Sequence, residues 1–290
     1  MYVLIPTHTP RYLDLVLAGL GRQTRRPDHV VVSCDNDDPA IGEIIRKWAP
    51  KAGLKVSWVR RPSTGGERLC QVRNNGVRHL VDDLGFRGGR LIVVDGDMLA
   101  PDRLVETHEQ LGTQAPLVYA YRVNVEQARS EALIADRVLT GEQSLVLTPA
   151  DRAKLAKRES RYRRQLLLRK LGLGPLHKPK LLGGHFSVDL GLYLELNGFD
   201  ELYQGWGFKD DEFAYRAART GANVRVAVRE IPAWHLWHIT RQPSVPMREL
   251  PTARRFATRR RLPNRAEHGV QNPLEQPATA AEVFDLPGKG

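Results

Sequence analysis

Apolar and polar positions alternate through the first hundred residues in blocks of two kinds. Apolar-rich runs at Tyr2 to Ile5, His29 to Ser33, Lys55 to Val59 and Leu91 to Val94 have the length of strands. Between them apolar residues recur at helical spacing: Leu13, Val16, Leu17 and Leu20; then Ile41, Ile44, Ile45 and Trp48 after Pro39; then Leu69, Val72, Val77 and Leu80 after the flexible Gly65-Gly66 turn. Strands alternating with helices predict an α/β fold, a mostly parallel, Rossmann-like sheet flanked by helices. A further strand is expected over 117–125. A helix is expected over 151–171, carrying Leu155, Ala156, Tyr162, Leu166, Leu167 and Leu171. Residues 243–290 hold many prolines, an Arg cluster at 259–261 and few strong apolar patterns, and are expected to be a largely disordered tail.

The apolar run Leu91 to Val94 ends in Asp95-Gly96-Asp97. Such a strand is buried on both faces, and open α/β sheets bind ligands beyond the carboxyl ends of their strands. Two carboxylates there raise each other's pKa unless a positive group lies between them. Oxygen ligands beside a loop suit Mg²⁺ or Mn²⁺ carrying a substrate phosphate, although a capping or turn role remains the plainer alternative.

Charge narrows the partners. The net +11 is concentrated: residues 151–180 carry 11 Lys/Arg against 2 Asp/Glu and residues 241–290 carry 9 against 5, which leaves the rest of the chain at −2. The basic insert and tail lack aromatic interleaving or a reading motif, so nucleic acid ranks low among partners. With Cys34 and Cys70 its only cysteines, no spanning apolar run and no signal-like N-terminus, the chain is expected to be cytoplasmic.

A second constellation lies downstream. Gly205-Trp206-Gly207-Phe208-Lys209-Asp210-Asp211-Glu212 places an aromatic ring between glycines and leads three acids into a helix expected over Asp211–Thr220. An indole face can carry the apolar face of a sugar ring, and the macrodipole favours ionised Asp210 at the helix start. A simple helix cap is the competing reading. Before this stretch come Gly183-Gly184-His185-Phe186-Ser187 and Leu196-Asn197-Gly198-Phe199-Asp200-Glu201; after it comes Trp234-His235-Leu236-Trp237-His238.

With these four motifs in order, the chain resembles the family 2 glycosyltransferases of GT-A fold over roughly residues 1–240, interrupted by the insert. Residues 181–240 are similar to the C-terminal module shared with β-1,4-galactosyltransferases. The resemblance implies one GT-A domain over 1–242: a nucleotide-binding half at 1–125, a basic helical insert at about 126–180, and an acceptor and catalytic half at 181–242. It places Pro6 and Thr7 by the base and ribose, Asp35 on the base, Arg73 and Asn74 beside the diphosphate, and Gly183 and Gly184 by the donor sugar. Asp95 falls toward the ribose and Asp97 on the metal. Trp206 becomes the acceptor-side aromatic and Asp210 the catalytic base, with Asp211 in reserve. Lys209 stands where the galactosyltransferases usually carry an acceptor-holding Glu. The family's metal-binding histidine matches His235 or His238, with His238 favoured.

The implied activity is metal-dependent, inverting transfer of a sugar from a nucleotide-sugar donor, with UDP favoured by Asp35, to a hydroxyl on a glycan or lipid-linked glycan. The alternatives are a catalytically silent nucleotide-sugar or surface-binding module and a metal-dependent nucleotidyltransferase. The basic amphipathic segment 151–171 reads either as an anionic membrane contact on the inner membrane face or as a solvated lid over the acceptor cleft.

Overall fold

A computed structural model describes residues 1–63, 65–240, 243–275 and 279–286. An eight-stranded sheet runs in the order Ala280–Phe284, Val56–Arg60, His29–Cys34, Tyr2–Thr7, Arg90–Val94, His185–Asp189, Leu117–Tyr119, Val224–Val226. Its first half comprises β1 (Tyr2–Thr7), β2 (His29–Cys34), β3 (Val56–Arg60) and β4 (Arg90–Val94), all mutually parallel. Their side chains alternate between two cores: Val3, Ile5, Ile92 and Val94 pack on one face, Leu4, Leu91 and Val93 on the other. Burial on both faces explains the unbroken apolar runs. Helices α1 (Leu13–Gly21), α2 (Pro39–Ala52) and α3 (Leu69–Arg78) connect these strands where the spacing predicts them.

The second half mixes directions. After β5 (Met98–Leu99) and α4 (Leu104–Gly112), the single strand expected over 117–125 divides at Ala120 into β6 (Leu117–Tyr119) and β7 (Tyr121–Asn124). Strand β6 lies antiparallel to β8 (His185–Asp189) and parallel to β9 (Val224–Val226), whereas β7 joins a separate three-stranded sheet with β5 and β10 (Pro232–His235). The bend lets one apolar stretch serve two sheets.

The insert contains α5 (Gln127–Glu131), α6 (Ala135–Thr140) and the long α7 (Pro149–Lys170). A capping box between Thr148 and Asp151 starts α7. Of the expected apolar stripe, Leu155 and Tyr162 are buried while Leu167 and Leu171 are exposed. Among the described residues, no helix is long and apolar enough to cross a membrane.

Helices α8 (Leu190–Glu195) and α9 (Lys209–Arg219) complete the core. The tail corrects the expectation of disorder: α10 (Pro251–Ala257) buries Phe256, Val270 enters the core, and β11 (Ala280–Phe284) pairs antiparallel with β3. Asn197 anchors this segment by donating to the Ala266 carbonyl at 2.9 Å and accepting from Gln271 N–H at 2.8 Å. Sparse but well-placed apolar side chains and side chain to backbone bonds achieve this without a periodic pattern. Residues 276–278 and 287–290 of the expected disordered tail lie outside the described residues.

Candidate active site

The sheet's carboxyl end holds the D-x-D loop between β1 and β8. Asp95 N–H donates to Gly184 O at 3.1 Å, and Gly96 N–H to Pro6 O at 3.2 Å. A Cβ on Gly184 would collide with the Asp95 carboxylate, and one on Gly183 with that of Asp210. The paired glycines thus bring backbone against both acids, an approach no larger residue allows.

On one side of the loop, β10 lies antiparallel to β5, with His235 opposite Met98. This register sets His235 Nε2 at 3.5 Å and His238 Nε2 at 3.1 Å from Asp97 Oδ2. One ligand atom from each of the three residues falls within 4.8 Å of the others. Asp97 Oδ1 is buried without a hydrogen-bond partner. Burial pushes His235 down to about 4, so its imidazole is neutral at pH 7. The Asp97 hydrogen bond outweighs burial and raises His238. Burial acts to raise Asp97 in turn, but His238 and His235 hold it below the usual carboxylate range. An orphaned carboxylate oxygen beside two imidazoles fits a divalent cation, and the two nitrogen donors count against oxygen-seeking Mg²⁺.

On the other side, the fully buried Arg73 of α3 acts as a hub. Its Nη1 donates to Asp210 Oδ1 at 3.0 Å, its Nη2 donates to Gly183 O at 2.8 Å, and Nη2 lies 3.8 Å from Asp95 Oδ1. Phe199 supports the guanidinium from below, 4.7 Å from its ring centroid. Burial drives Asp95 up to about 6 against the pull of Arg73, with Asp97 and Asp210 adding to the rise. Asp210 occupies the first turn of α9, one of two partly exposed acids, with Asp95, that Arg73 holds at the site.

Other expected residues divide by surroundings. Pro6 and Thr7 end β1 beside Gly96, and Trp206 is 42% exposed on the Gly205–Gly207 loop. Asp35 is clamped by Arg61, whose Nε donates at 2.7 Å, and by Arg68 N–H at 3.3 Å. Asn74 is fully buried: it donates to Phe199 O and Glu201 and accepts from Tyr193 Oη and Phe199 N–H, which leaves no capacity for a diphosphate. Lys209 is also buried, its ammonium engaged by Glu67 and by Gly205 O at 2.8 Å, so it ties the Gly-Trp-Gly loop to the α3 approach. Asp211 is buried between Lys178 at 3.7 Å and Lys180 at 3.6 Å.

Arg122 and the His108 partner of His185 escaped the sequence reading. Arg122 on β7 places its charge on Asp95, Asp97, His235 and His238 alike. A cation in the strand just before the insert was the available signal. Behind the loop, His185 pairs through Nε2 with buried His108 at 3.2 Å, and its Nδ1 donates to Tyr121 O at 2.9 Å. Only tertiary packing joins those two.

Residues 170–236 match the family described as the N-terminal domain of galactosyltransferase. The chain is 25% identical over 237 residues to chondroitin synthase of Pasteurella multocida, covering 77% of this chain and 23% of that protein. It therefore spans less than a quarter of that relative's length. Among solved structures it superposes on S. aureus TarS 1–349 in complex with UDP-GlcNAc at a TM-score of 0.54, with 15% identity, over 83% of this chain and 59% of that one. It also superposes on GalNAc-T7 with UDP, GalNAc and Mn²⁺ at 0.58, with 17% identity, over 89% of this chain and 47% of that one. The fold is GT-A, and the galactosyltransferase match begins within the expected insert and covers most of the expected module at 181–240.

Proposed function

We propose that this chain transfers a sugar from a UDP-sugar to an acceptor hydroxyl with inversion. The observation that carries the reading is the Arg73 hub, which holds Asp210 at 3.0 Å and Asp95 at 3.8 Å beside the Asp97, His235 and His238 cluster. UDP in both solved likenesses and Mn²⁺ in one support the choice of donor and cofactor.

Asp97, His235 and His238 would hold Mn²⁺, whose Lewis acidity neutralises charge on the departing diphosphate. Gly183 and Gly184 let backbone line the donor sugar, and Arg73 orients Asp210 through Oδ1. Asp210 takes the hydroxyl proton as the acceptor oxygen bonds to the anomeric carbon from the face opposite the leaving group. The bond to the diphosphate oxygen breaks, and its electron pair leaves with UDP. Asp210 serves as base rather than Asp211, which two lysines enclose. Trp206, exposed on its glycine-flanked loop, offers the acceptor a ring face.

Thermal shift against nucleoside-diphosphate sugars with and without Mn²⁺ tests the donor, since binding to the native state raises stability. A Mn²⁺-dependent shift with a UDP-sugar is expected, followed by product with inverted anomeric configuration in proton NMR. Retained configuration sinks the base assignment. No shift with any donor, in folded protein, sinks the transferase reading.

A further inference from the structure

A groove of about 790 Å³ runs between β7 and α7. Six cations line it: Arg122 from the strand and Lys154, Lys157, Arg158, Arg161 and Arg164 from the helix. Each of the helical five lies three or four residues from another, so they share one face over about 15 Å. Arg158 lies over the Tyr121 ring at 4.7 Å, which ties this row to β7. The acid lining the groove, Asp151, is engaged in the cap of α7, and Glu159 pairs with Arg163 at 2.7 Å. Among the described residues, Arg122, Lys154, Lys157, Arg161 and Arg164 have no carboxylate within 4.0 Å. A concave row of cations without close ion pairs repels itself and suits a ligand with several negative groups.

The groove also leads to the site. Strand β7 is parallel to β10, with Arg122 opposite Ala233 and Asn124 opposite His235. Arg122 therefore belongs to the groove wall and to the strand next to His235.

We propose that this groove seats a polyanionic acceptor chain, with repeated phosphate or carboxylate groups, whose terminal hydroxyl passes Arg122 to reach Asp210. The proposal rests on the transferase reading and names its acceptor class. A neutral glycan gains nothing from such a row.

The test uses the full chain and three fluorescent probes: inorganic polyphosphate, polygalacturonate and neutral dextran. Wild type should bind one of the two polyanions with an affinity that weakens as salt rises, and should ignore dextran. Arg161→Glu/Arg164→Glu should weaken that binding at least about 10-fold. Arg260→Glu/Arg261→Glu makes the same charge change at exposed positions elsewhere and should cost less than about 2-fold. Which polyanion binds separates phosphate from carboxylate chains. Equal losses in the two variants, equal binding of dextran, or failure of both polyanions overturns the proposal. So does binding of phosphatidylglycerol vesicles, lost in the groove variant, without binding of soluble chains, because the row then meets a membrane. The Mn²⁺-dependent UDP shift is read in parallel in every variant. Its absence alone defeats the transferase reading, whereas its presence without polyanion binding defeats only the acceptor assignment.

Discussion

The two carboxylates of the D-x-D loop stand two residues apart and meet opposite surroundings. Asp97 faces imidazoles at 3.1 and 3.5 Å, whereas Asp95 faces the guanidinium of Arg73 at 3.8 Å with Asp210 sharing the same cation. The first setting keeps its acid ionised through partners whose own charge depends on pH. The second has a permanent cation, yet burial and two neighbouring acids still lift Asp95 to about 6. A motif of identical letters thus divides into a metal-type pocket and an arginine hub, and the division comes from different elements packing against each end.

The largest effect expected from breaking this division lies on the hub side. Asp210→Asn should reduce transfer by about 10²–10⁴-fold while the donor dissociation constant stays near wild type. Isothermal titration with UDP alongside turnover separates the two, and a variant with wild-type turnover removes Asp210 as base. On the pocket side, Asp97→Ala should weaken Mn²⁺-dependent UDP binding by at least about 100-fold, since even outer-shell changes at metal sites cost 10–100-fold. Metal-free UDP binding should change little. Equal losses with and without Mn²⁺ would erase the distinction between the two settings.

Within the hub, Arg73 and Asn74 are neighbours with different expected roles. Asn74→Ala should cost about 3 kcal/mol of stability by leaving buried partners unpaired, read from denaturant melts, with UDP affinity unchanged in the folded fraction. A selective loss of UDP affinity at wild-type stability would put Asn74 back beside the diphosphate.

Per group, the smallest effect concerns pH. Burial pushes His185 and His29 down to about 4, against about 6.5 in an unfolded chain. Between those values the unfolded chain binds more protons, so the full stability present above pH 6.5 falls as pH drops, by about 2 kcal/mol per histidine at pH 5. His238 has the opposite sign. Its folded pKa is raised by Asp97, so its contribution is present below about 6.5 and lost as pH rises through the folded value. Metal-free melts at pH 7 and 5 should therefore show a net loss at pH 5, made steeper by His238→Gln. A loss unchanged or shallower in that variant contradicts the His238 and Asp97 pairing.

Legibility followed locality. The parallel half-sheet could be read because burial on both faces leaves continuous apolar runs, and the acids could be read because they sit at strand and helix ends. The choice between His235 and His238 could not be made from spacing, and the fold brings both to Asp97. Asn74 and Lys209 were expected to touch ligands, yet each holds a loop through bonds to residues more than a hundred positions away. No spacing rule reports such pairings. The tail misled for the opposite reason: its proline and arginine content masked a few apolar anchors, Phe256 and Val270 among them, that suffice because Asn197 and β3 receive them.

Strand β11 has a consequence for how the molecule lives in a crowded solution. It pairs along β3 from Ala280 opposite Arg60 to Phe284 opposite Val56. An uncovered strand edge is a ready template for another chain. Here the chain's own segment takes that template, and the outer edge of the sheet passes to β11, where Glu282 lies 3.3 Å from Arg46 and 3.8 Å from Arg60. Without that segment β3, which carries the buried Val56, Trp58 and Val59, would be the outer strand, so the tail replaces an apolar edge with a charge-bearing one.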